Sequence, residues 1–411
     1  MNGIDARGAT GVGVASLVAA GSGYVVLVIA AKVLGKADNA DFLAFWGLLF
    51  FLFGVLGGLQ SEVTRSVHVT RTTRPAGAGA TGARIVPLGL LIGATLAATI
   101  MLTSPLWSRA VLGPQPQLAV ALIALAVLAF GGHTAVAGTL AGRGHWTVYS
   151  RLVGAEALMR LLLVTAIALA GGGPTGLHVA AGAAAATWLV LWISPRVRDA
   201  WNQRTDTGPR EFLTASGQAM VGAASSAALV VGFPVLLRVS TPPAVFALAA
   251  PLMLAIQLTR APLLIPLNAY QGVAITHFVN QRDQGARPLL RLAGMIGAVG
   301  VVGAGAAALV GPWLMEVLLA PGYRVGPVIL GALTLTAALL ALLTMTGAAT
   351  LALGGHRAYG LGWFVATVCS AAVLLLPGGL ETRAIASLAV GPGIGVLVHV
   401  TWLRGTLRSR R

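Results

Sequence analysis

The sequence predicts an all-α polytopic membrane protein with twelve transmembrane helices. The 411 residues are 57% hydrophobic and only 9% charged, whereas soluble domains carry roughly 25% charged residues. The mean hydropathy is +0.86. Apolar runs near the ~20 residues that a spanning helix needs follow one another along the chain. These three observations exclude an ordinary soluble protein.

The apolar runs form two groups of six. The first six predicted spans cover residues 11–34, 42–63, 85–102, 118–140, 152–170 and 177–193. After a polar segment, the second six cover residues 213–237, 244–269, 290–310, 327–353, 359–376 and 384–402. We therefore predict an N-terminal lobe over 1–194, a cytoplasmic linker over 195–212 and a C-terminal lobe over 213–411. The N-terminus has no basic segment ending at a cleavage site, and the first apolar run is too long for a signal peptide, so we expect it to be retained as a helix.

The distribution of basic residues predicts the orientation. With the N-terminus in the cytoplasm, 19 of the 27 lysines and arginines fall in cytoplasmic segments and 6 in outer segments. This bias is the positive-inside pattern, and it favours twelve spans with both termini inside. Six spans on each side of the linker then give both lobes the same orientation, which is typical of a parallel two-fold repeat in transporters.

Composition also limits the chemistry. The net charge of +16 lies in short loops, so it indicates membrane orientation and no nucleic-acid partner. One cysteine, Cys369, and scattered histidines at 133, 178 and 399 have no metal-ligand spacing, so we expect no metal site and no cofactor. We expect the transport of a substrate, with coupling to an H⁺ or Na⁺ gradient as an option, and no enzyme activity.

Charged residues inside spans are costly and usually face a bundle interior or a watery cavity. Glu156 and Arg160 lie four residues apart on the fifth predicted helix, and therefore on one face. One interpretation is an ion pair that only lets the helix insert. The other places Arg160 in a substrate cavity near the midplane, where Glu156 tunes it or exchanges a proton.

Arg260 is the stronger candidate for substrate binding. Gln257 lies one turn before it on the same face, no acid lies within one helical turn, and Pro262 and Pro266 follow. Interrupted spans are typical of transporter binding sites, and arginine remains charged and suits phosphate oxygens. A structural partner on another helix is the alternative.

Glu62 and Arg65 end the second predicted helix at the cytoplasmic rim, and Arg151 begins the fifth. Glu62 is predicted as a gate or an ion-coupling acid, with a simple surface pair to Arg65 as the alternative. Further polar side chains that could line a cavity, or could serve as helix–helix hydrogen bonds, are Tyr24, Gln218, Asn268, Tyr270 and Gln271.

Two segments carry a family resemblance. GSGYVVLVIAAKVLGKADNADFLAFWGLLFFLFGVLGGLQSEVTRSVH and FALAAPLMLAIQLTRAPLLIPLNAYQ resemble helices of Wzx-type polysaccharide flippases, members of the multidrug/oligosaccharidyl-lipid/polysaccharide (MOP) exporter superfamily. The resemblance implies a MATE-like fold of two six-helix lobes that alternate between inward and outward openings. The implied cargo is a polyprenyl-pyrophosphate-linked oligosaccharide, a precursor of cell-envelope polysaccharide.

The resemblance also implies a cationic cavity for the pyrophosphate. Arg160 and Arg260 match that role, and Arg65 and Arg151 at the inner rim could help to load the headgroup. The implied location is the bacterial inner membrane. The implied partners are the lipid-linked glycan, membrane lipids, and glycosyltransferases or a polymerase of the same pathway.

Three other functions are weighed against this one. A cation-coupled multidrug exporter of the same superfamily would prefer an intramembrane acid without a neighbouring arginine. A membrane glycosyltransferase could use Asp38 and Asp41, but their loop is only seven residues long. A scaffold without transport would not need Arg260 between prolines at membrane depth.

Overall fold

The computed structural model describes residues 6–73, 82–280 and 287–408, and side chains within 10–72, 82–267 and 290–406. It confirms the all-helical prediction: the described residues form helices and turns, with one isolated antiparallel bridge between Arg84 and Arg204. Eleven described helices are long and apolar enough to span a membrane, and a bent pair makes up to twelve.

The first half of the chain begins with five long helices. They are α1 (Ala6–Val33), α2 (Lys36–Thr73), α3 (Ile85–Leu112), α4 (Gln117–Gly142) and α5 (Trp146–Leu169). The sixth span is segmented into α6 (Gly173–Ala183), a 3₁₀ turn (Ala184–Ala186), α7 (Thr187–Val190) and a second 3₁₀ turn (Leu191–Ile193). The polar segment after it contains α8 (Pro195–Asp199) and a 3₁₀ turn (Ala200–Asn202).

The second half contains the bent pair. Its helices are α9 (Pro209–Val230), α10 (Phe233–Val239), α11 (Pro243–Phe246), α12 (Ala250–Asn280), α13 (Arg287–Leu318), α14 (Pro327–Ala352), α15 (His356–Leu374) and α16 (Leu380–Arg408). The predicted straight span 213–237 is wrong in detail, because α9 and α10 meet at 70°. Gly232 lies in this break and Pro234 in the first turn of α10, where proline starts a new helix more easily than it continues one.

Two other predicted boundaries also differ. The eighth predicted span begins at 244, but α11 ends at Phe246 and α12 starts at Ala250, after which it continues to Asn280. Prolines 262 and 266 lie inside α12 without ending it. The second predicted span ends at 63, whereas α2 continues to Thr73. These helices continue beyond the apolar run into polar residues, which a hydropathy window does not include.

The chain folds into two compact units. Unit 1 comprises Met1–Leu34 and Asp41–Ala227, and unit 2 comprises Gly35–Ala40 and Ala228–Arg411. In unit 1, α1 packs on α5 and α3 packs on α4. The α3–α4 contact is close because glycines face each other: a Cβ added to Gly131 would lie 2.6 Å from the carbonyl oxygen of Gly89. Small residues at such crossings are typical of membrane helices.

In unit 2, α14 packs against α12, α13 and α16, and α15 packs on α16. The first turn of α2 also belongs to this unit, where Asn39 Nδ2 donates a 2.9 Å hydrogen bond to the Tyr323 hydroxyl. Large apolar side chains such as Leu106, Leu169 and Leu309 are more than four-fifths exposed. On a bilayer-spanning helix these are the side chains that contact lipid.

The same helix-ending turn occurs in each unit, 210 residues apart. After α4, the N–H of His145 donates to Leu140 and that of Gly144 to Ala141. After α14, the N–H of Gly355 donates to Thr350 and that of Gly354 to Leu351. Both turns are Schellman motifs, with glycine at φ 77° and 84° respectively. A tyrosine follows five residues later in both, at 149 and 359. The same hydrogen bonds recur after α5, from Gly172 to Ile167 and from Gly171 to Ala168, so the two-fold repeat stays a prediction.

Candidate functional site

Arg160 is buried in the middle of α5, with 5% of its surface exposed. Its Nη2 forms an ion pair with the Glu156 carboxylate, which is itself buried. Its Nε donates to the carbonyl oxygen of Ala181 at 3.4 Å, close to the point where α6 gives way to a 3₁₀ turn. The i,i+4 pair is therefore formed as the spacing predicts, and part of the guanidinium also stabilises a helix end.

An aromatic face of α2 supports this guanidinium. Its carbon lies 4.7 Å from the centre of the Phe50 ring and 5.9 Å from that of Trp46. Phe50 contacts Phe53, whose ring stacks on Phe130 of α4 at 3.9 Å. Cation–π contacts are strongest where water is excluded. Sequence analysis missed this face, although the helical spacing of residues 42, 46, 50 and 53 is its signal.

Arg260 occupies the break between α9 and α10 within unit 2. It is 4% exposed, and its Nη1 donates to the carbonyl oxygens of Val230 at 2.9 Å and Leu229 at 3.4 Å. Its guanidinium carbon lies 5.6 Å from the Phe233 ring centre. The last carbonyls of a helix have no intrahelical donor, so Arg260 satisfies groups that the break exposes. The sequence predicted carbonyl oxygens freed by the prolines of α12 itself. The carbonyl oxygens that Arg260 contacts lie instead at the end of α9.

Gln257 lies one turn before Arg260 on α12 and is partly exposed. The spacing of three places both side chains on one face of the helix, as predicted. The predicted residues Asn268, Tyr270 and Gln271 lie further along α12, and their side chains are outside the described residues. Unit 2 therefore presents a buried arginine, a neighbouring amide and a broken span at one place.

Arg65 lies beside the linker in unit 1, and its guanidinium forms ion pairs with two carboxylates. It forms ion pairs with Glu62 at 2.5 Å and with Asp206 at 3.0 Å. Ser66 Oγ donates to Asp206 at 2.7 Å, and the Asp206 N–H donates back to the same oxygen at 3.0 Å. Because both edges of this guanidinium face acids, a phosphate would have to displace one of them. Asp206 was missed because it lies 140 residues from Ser66 in the chain.

The remaining predicted residues are not gathered with these clusters. Arg151 is exposed at the start of α5, Gln218 is exposed on α9, and Tyr24 is partly buried on α1. Within the ranges described above, no three histidine, cysteine, aspartate or glutamate side chains lie close enough to hold a metal ion.

From the contacts of Asp206 with Arg65 and Ser66, we expect the free energy of unfolding to depend on pH. Burial alone raises the pKa of Asp206, but the hydrogen bonds from Ser66 and Arg65 outweigh it, so the net pKa lies below the usual value of 3.8. A carboxyl whose pKa is depressed by folding stabilises the protein above its unfolded pKa, and this stability is lost as the pH falls through the folded pKa. We expect the thermal unfolding midpoint of Asp206→Asn to fall below that of the wild type at pH 7, and the difference to shrink below about pH 4.

Thermal unfolding in detergent micelles between pH 7 and pH 3 measures this difference. The matched control is Asp199→Asn, since Asp199 is an exposed acid of the same polar segment. A difference between Asp206→Asn and wild type that stayed constant over this pH range would show that the carboxylate charge does not hold the segment.

Comparison with known proteins identifies the family. The chain is 41% identical over 402 residues to the uncharacterized protein Rv1510 of Mycobacterium tuberculosis (strain H37Rv), covering 97% of this chain and 92% of that protein. It is 39% identical over 398 residues to the uncharacterized protein Mb3654 of Mycobacterium bovis, covering 96% and 91% respectively. The chain belongs to this family. No protein-family model matches it.

Solved structures show that the chain has a known fold. A multidrug resistance MATE family transporter of the MOP superfamily, in an inward-facing conformation, matches with a TM-score of 0.70 at 14% identity, over 97% of this chain and 95% of that one. The lipid II flippase MurJ matches with a TM-score of 0.69 at 10% identity, over 95% and 87%. The predicted MOP fold is confirmed. The narrower Wzx-type assignment stays a prediction.

A third structure has the same fold and a different site. It is a MOP superfamily transporter from Pyrococcus furiosus, described as having a binding pocket of reverse polarity that suggests a different function. It matches with a TM-score of 0.68 at 13% identity, over 98% of this chain and 96% of that one. Within one fold, the charge of the site therefore has to be read residue by residue.

Proposed function

We propose that the protein is a transporter, and specifically a flippase that moves a polyprenyl-pyrophosphate-linked oligosaccharide across the cytoplasmic membrane by alternating access. One observation carries the proposal: the spanning helices bury Arg160 and Arg260, while the buried carboxylates Glu62 and Glu156 each form an ion pair with an arginine. Such a charge distribution suits an anionic headgroup better than a cationic drug, because arginine matches phosphate oxygens in charge and geometry.

The fold supports the same class of substrate. A lipid II flippase shares it with 95% coverage of this chain, so the architecture accommodates a lipid-linked glycan. The interrupted α9–α10 span adds a feature that transporters use at binding sites. The helix break brings the carbonyl oxygens of Leu229 and Val230 to Arg260, and they orient its guanidinium.

A cation-coupled multidrug exporter is the second candidate. It is favoured by the MATE family transporter, whose fold matches with a TM-score of 0.70. A cationic drug would have to bind Glu62 or Glu156 in competition with the arginine already paired to it. A phosphate at Arg160 or Arg65 meets the same competition, whereas at Arg260 it meets a guanidinium that donates to the carbonyl oxygens of Leu229 and Val230.

Coupling to H⁺ or Na⁺ belongs to the proposal. Protonation of Glu156, or its replacement as the partner of Arg160 by a phosphate, would release the guanidinium for substrate. Glu62 could act in the same way on Arg65. The proposed location is the inner membrane, beside the glycosyltransferases or polymerase that make and use the glycan.

Transport by the purified chain in proteoliposomes tests the function. We expect translocation of a fluorescent polyprenyl-diphosphate oligosaccharide, and no accumulation or efflux of the cationic dye ethidium under the same H⁺ and Na⁺ gradients. Liposomes with an unrelated membrane protein serve as the control. Ethidium transport without lipid translocation would replace the flippase with the drug exporter.

A further inference from the structure

The turn between α4 and α5 lies beside two other basic segments of unit 1. Arg143 follows α4, Arg71 lies in the last turn of α2, and Arg196 lies in α8. The Arg71 Nη1 donates a 2.5 Å hydrogen bond to the carbonyl oxygen of Arg143. The charge bias places this end of the unit in the cytoplasm. One side chain therefore ties the end of α2 to the α4–α5 turn.

His145 lies where these charges converge. Burial, followed by the charges of Arg143, Arg196 and Arg71, lowers the pKa of His145, and Asp199 opposes them. Its Nδ1 is shielded from solvent and has no hydrogen-bond partner among the described residues. Three cations and one anion act on this imidazole, so the place has an excess of positive charge at neutral pH.

The α5 helix adds to this field. His145 is its N-cap, and no side chain caps the helix there. The first N–H groups of a helix have no intrahelical acceptor, and the helix dipole favours an anion at this end. The 24 residues of α5 make this a full-length helix rather than a single turn.

Aromatic side chains indicate that this turn lies where the bilayer meets water. Trp146 follows His145 and packs edge-on against Tyr149. Trp192 packs edge-on against Trp188 and Trp201, on either side of α8 in the chain. Tryptophan and tyrosine are enriched where the bilayer meets water. A cationic site beside such aromatics lies at headgroup depth.

We propose that Arg71, Arg143 and Arg196, with His145 at the start of α5, form a binding site for the phosphate of an anionic membrane lipid. The site is separate from Arg160 and Arg260, and it does not depend on which substrate the protein transports. Orienting the chain in the membrane needs only basic loops. A bound phosphate additionally needs cations gathered at one place, and here the Arg71 guanidinium binds the Arg143 carbonyl two residues before His145, while the Arg196 charge also acts on that imidazole.

The second unit provides an internal comparison. The equivalent turn, 210 residues later, has Leu353 and Gly355 in place of Arg143 and His145. Arg357 is exposed near this second turn. The backbone turn is therefore the same in both units, but the turn in unit 2 has no counterparts of Arg143 and His145. Binding at unit 1 follows from side chains that the shared turn does not require.

The His145 imidazole reports on binding directly. We would label histidine at ¹³Cε1 in the full chain, held in zwitterionic detergent micelles, and assign His145 among the seven histidines with His145→Gln. Dihexanoyl phosphatidylglycerol should raise the His145 pKa by roughly one unit, because an anion within a few Å favours the charged imidazole. Dihexanoyl phosphatidylcholine should leave it unchanged, since choline offsets the phosphate charge.

Matched variants separate this site from general basicity. Arg71→Gln, Arg143→Gln and Arg196→Gln together should abolish the response, while Arg357→Gln should retain it. The remaining histidine resonances verify that the triple variant is folded, and the three single variants give the same test if it is not. An unshifted His145 in wild type, or a full response in the single and triple variants, would overturn the proposal.

Inorganic phosphate distinguishes the source of the anion. We expect half-saturation at a concentration at least about tenfold higher than that of the lipid, because the aromatic side chains contribute only to lipid binding. An equal response to inorganic phosphate would refute the lipid and leave a site for free phosphate.

Discussion

Arg160→Met is expected to destabilise the protein by about 3–5 kcal/mol, because it leaves Glu156 buried without its cation. Both groups of the pair are nine-tenths or more buried. A carboxylate in that setting must be protonated or remain desolvated, and either lowers the free energy of unfolding. Denaturation in mixed micelles measures the loss.

The double variant Glu156→Met with Arg160→Met separates the pair's two roles. Replacing both members of a buried ion pair with apolar side chains is often neutral or stabilising, and methionine sulfur packs well against rings such as Phe50. We expect stability within about 1 kcal/mol of wild type, with translocation reduced at least tenfold. If the stable double variant transports at the wild-type rate, the pair serves only helix insertion. Unchanged stability of Arg160→Met would contradict the buried pair itself.

Local features of the fold were accessible from sequence. Spanning helices must satisfy their own backbone in lipid, so long apolar runs report them with little dependence on tertiary context. The Glu156–Arg160 pair follows from helical spacing alone. The bend after Val230 also had a local signal, Gly232 followed by Pro234, but the surrounding residues are apolar and hydropathy averages across them.

Long-range partners were not accessible in this way. Arg65 meets Asp206 from 141 positions away, and Arg260 meets Val230 from 30 positions away. Each arginine has many carbonyls and acids that it could reach, and only packing selects among them. The predicted repeat also leaves little signal in the sequence, because the turns after α4 and α14 share backbone hydrogen bonds while their side chains differ. The roles of these residues in transport stay predictions.

Arg260→Gln is expected to reduce translocation by roughly 10–100-fold, the loss associated with a charged hydrogen bond of 1.5–3 kcal/mol. Arg260→Lys keeps the charge but not the planar fork, so we expect an intermediate rate. The shorter glutamine side chain does not reach Leu229 and Val230 as the guanidinium does, so a modest loss of stability accompanies Arg260→Gln, whereas the lysine ammonium can still donate to them. Arg238→Gln is the matched control: Arg238 is in the same unit and lies over the Phe246 ring at 4.5 Å.

Substrate preference distinguishes a binding role of Arg260 from a structural one. If Arg260 binds phosphate, wild type should translocate a diphosphate-linked glycan faster than the monophosphate-linked analogue, and Arg260→Gln should lose most of this preference. Disruption of the helix break alone would slow both substrates by the same factor, because it removes active protein without changing the headgroup site. An unchanged preference in Arg260→Gln, with both rates reduced, would therefore assign Arg260 to the stabilisation of the broken helix and leave the phosphate to other residues.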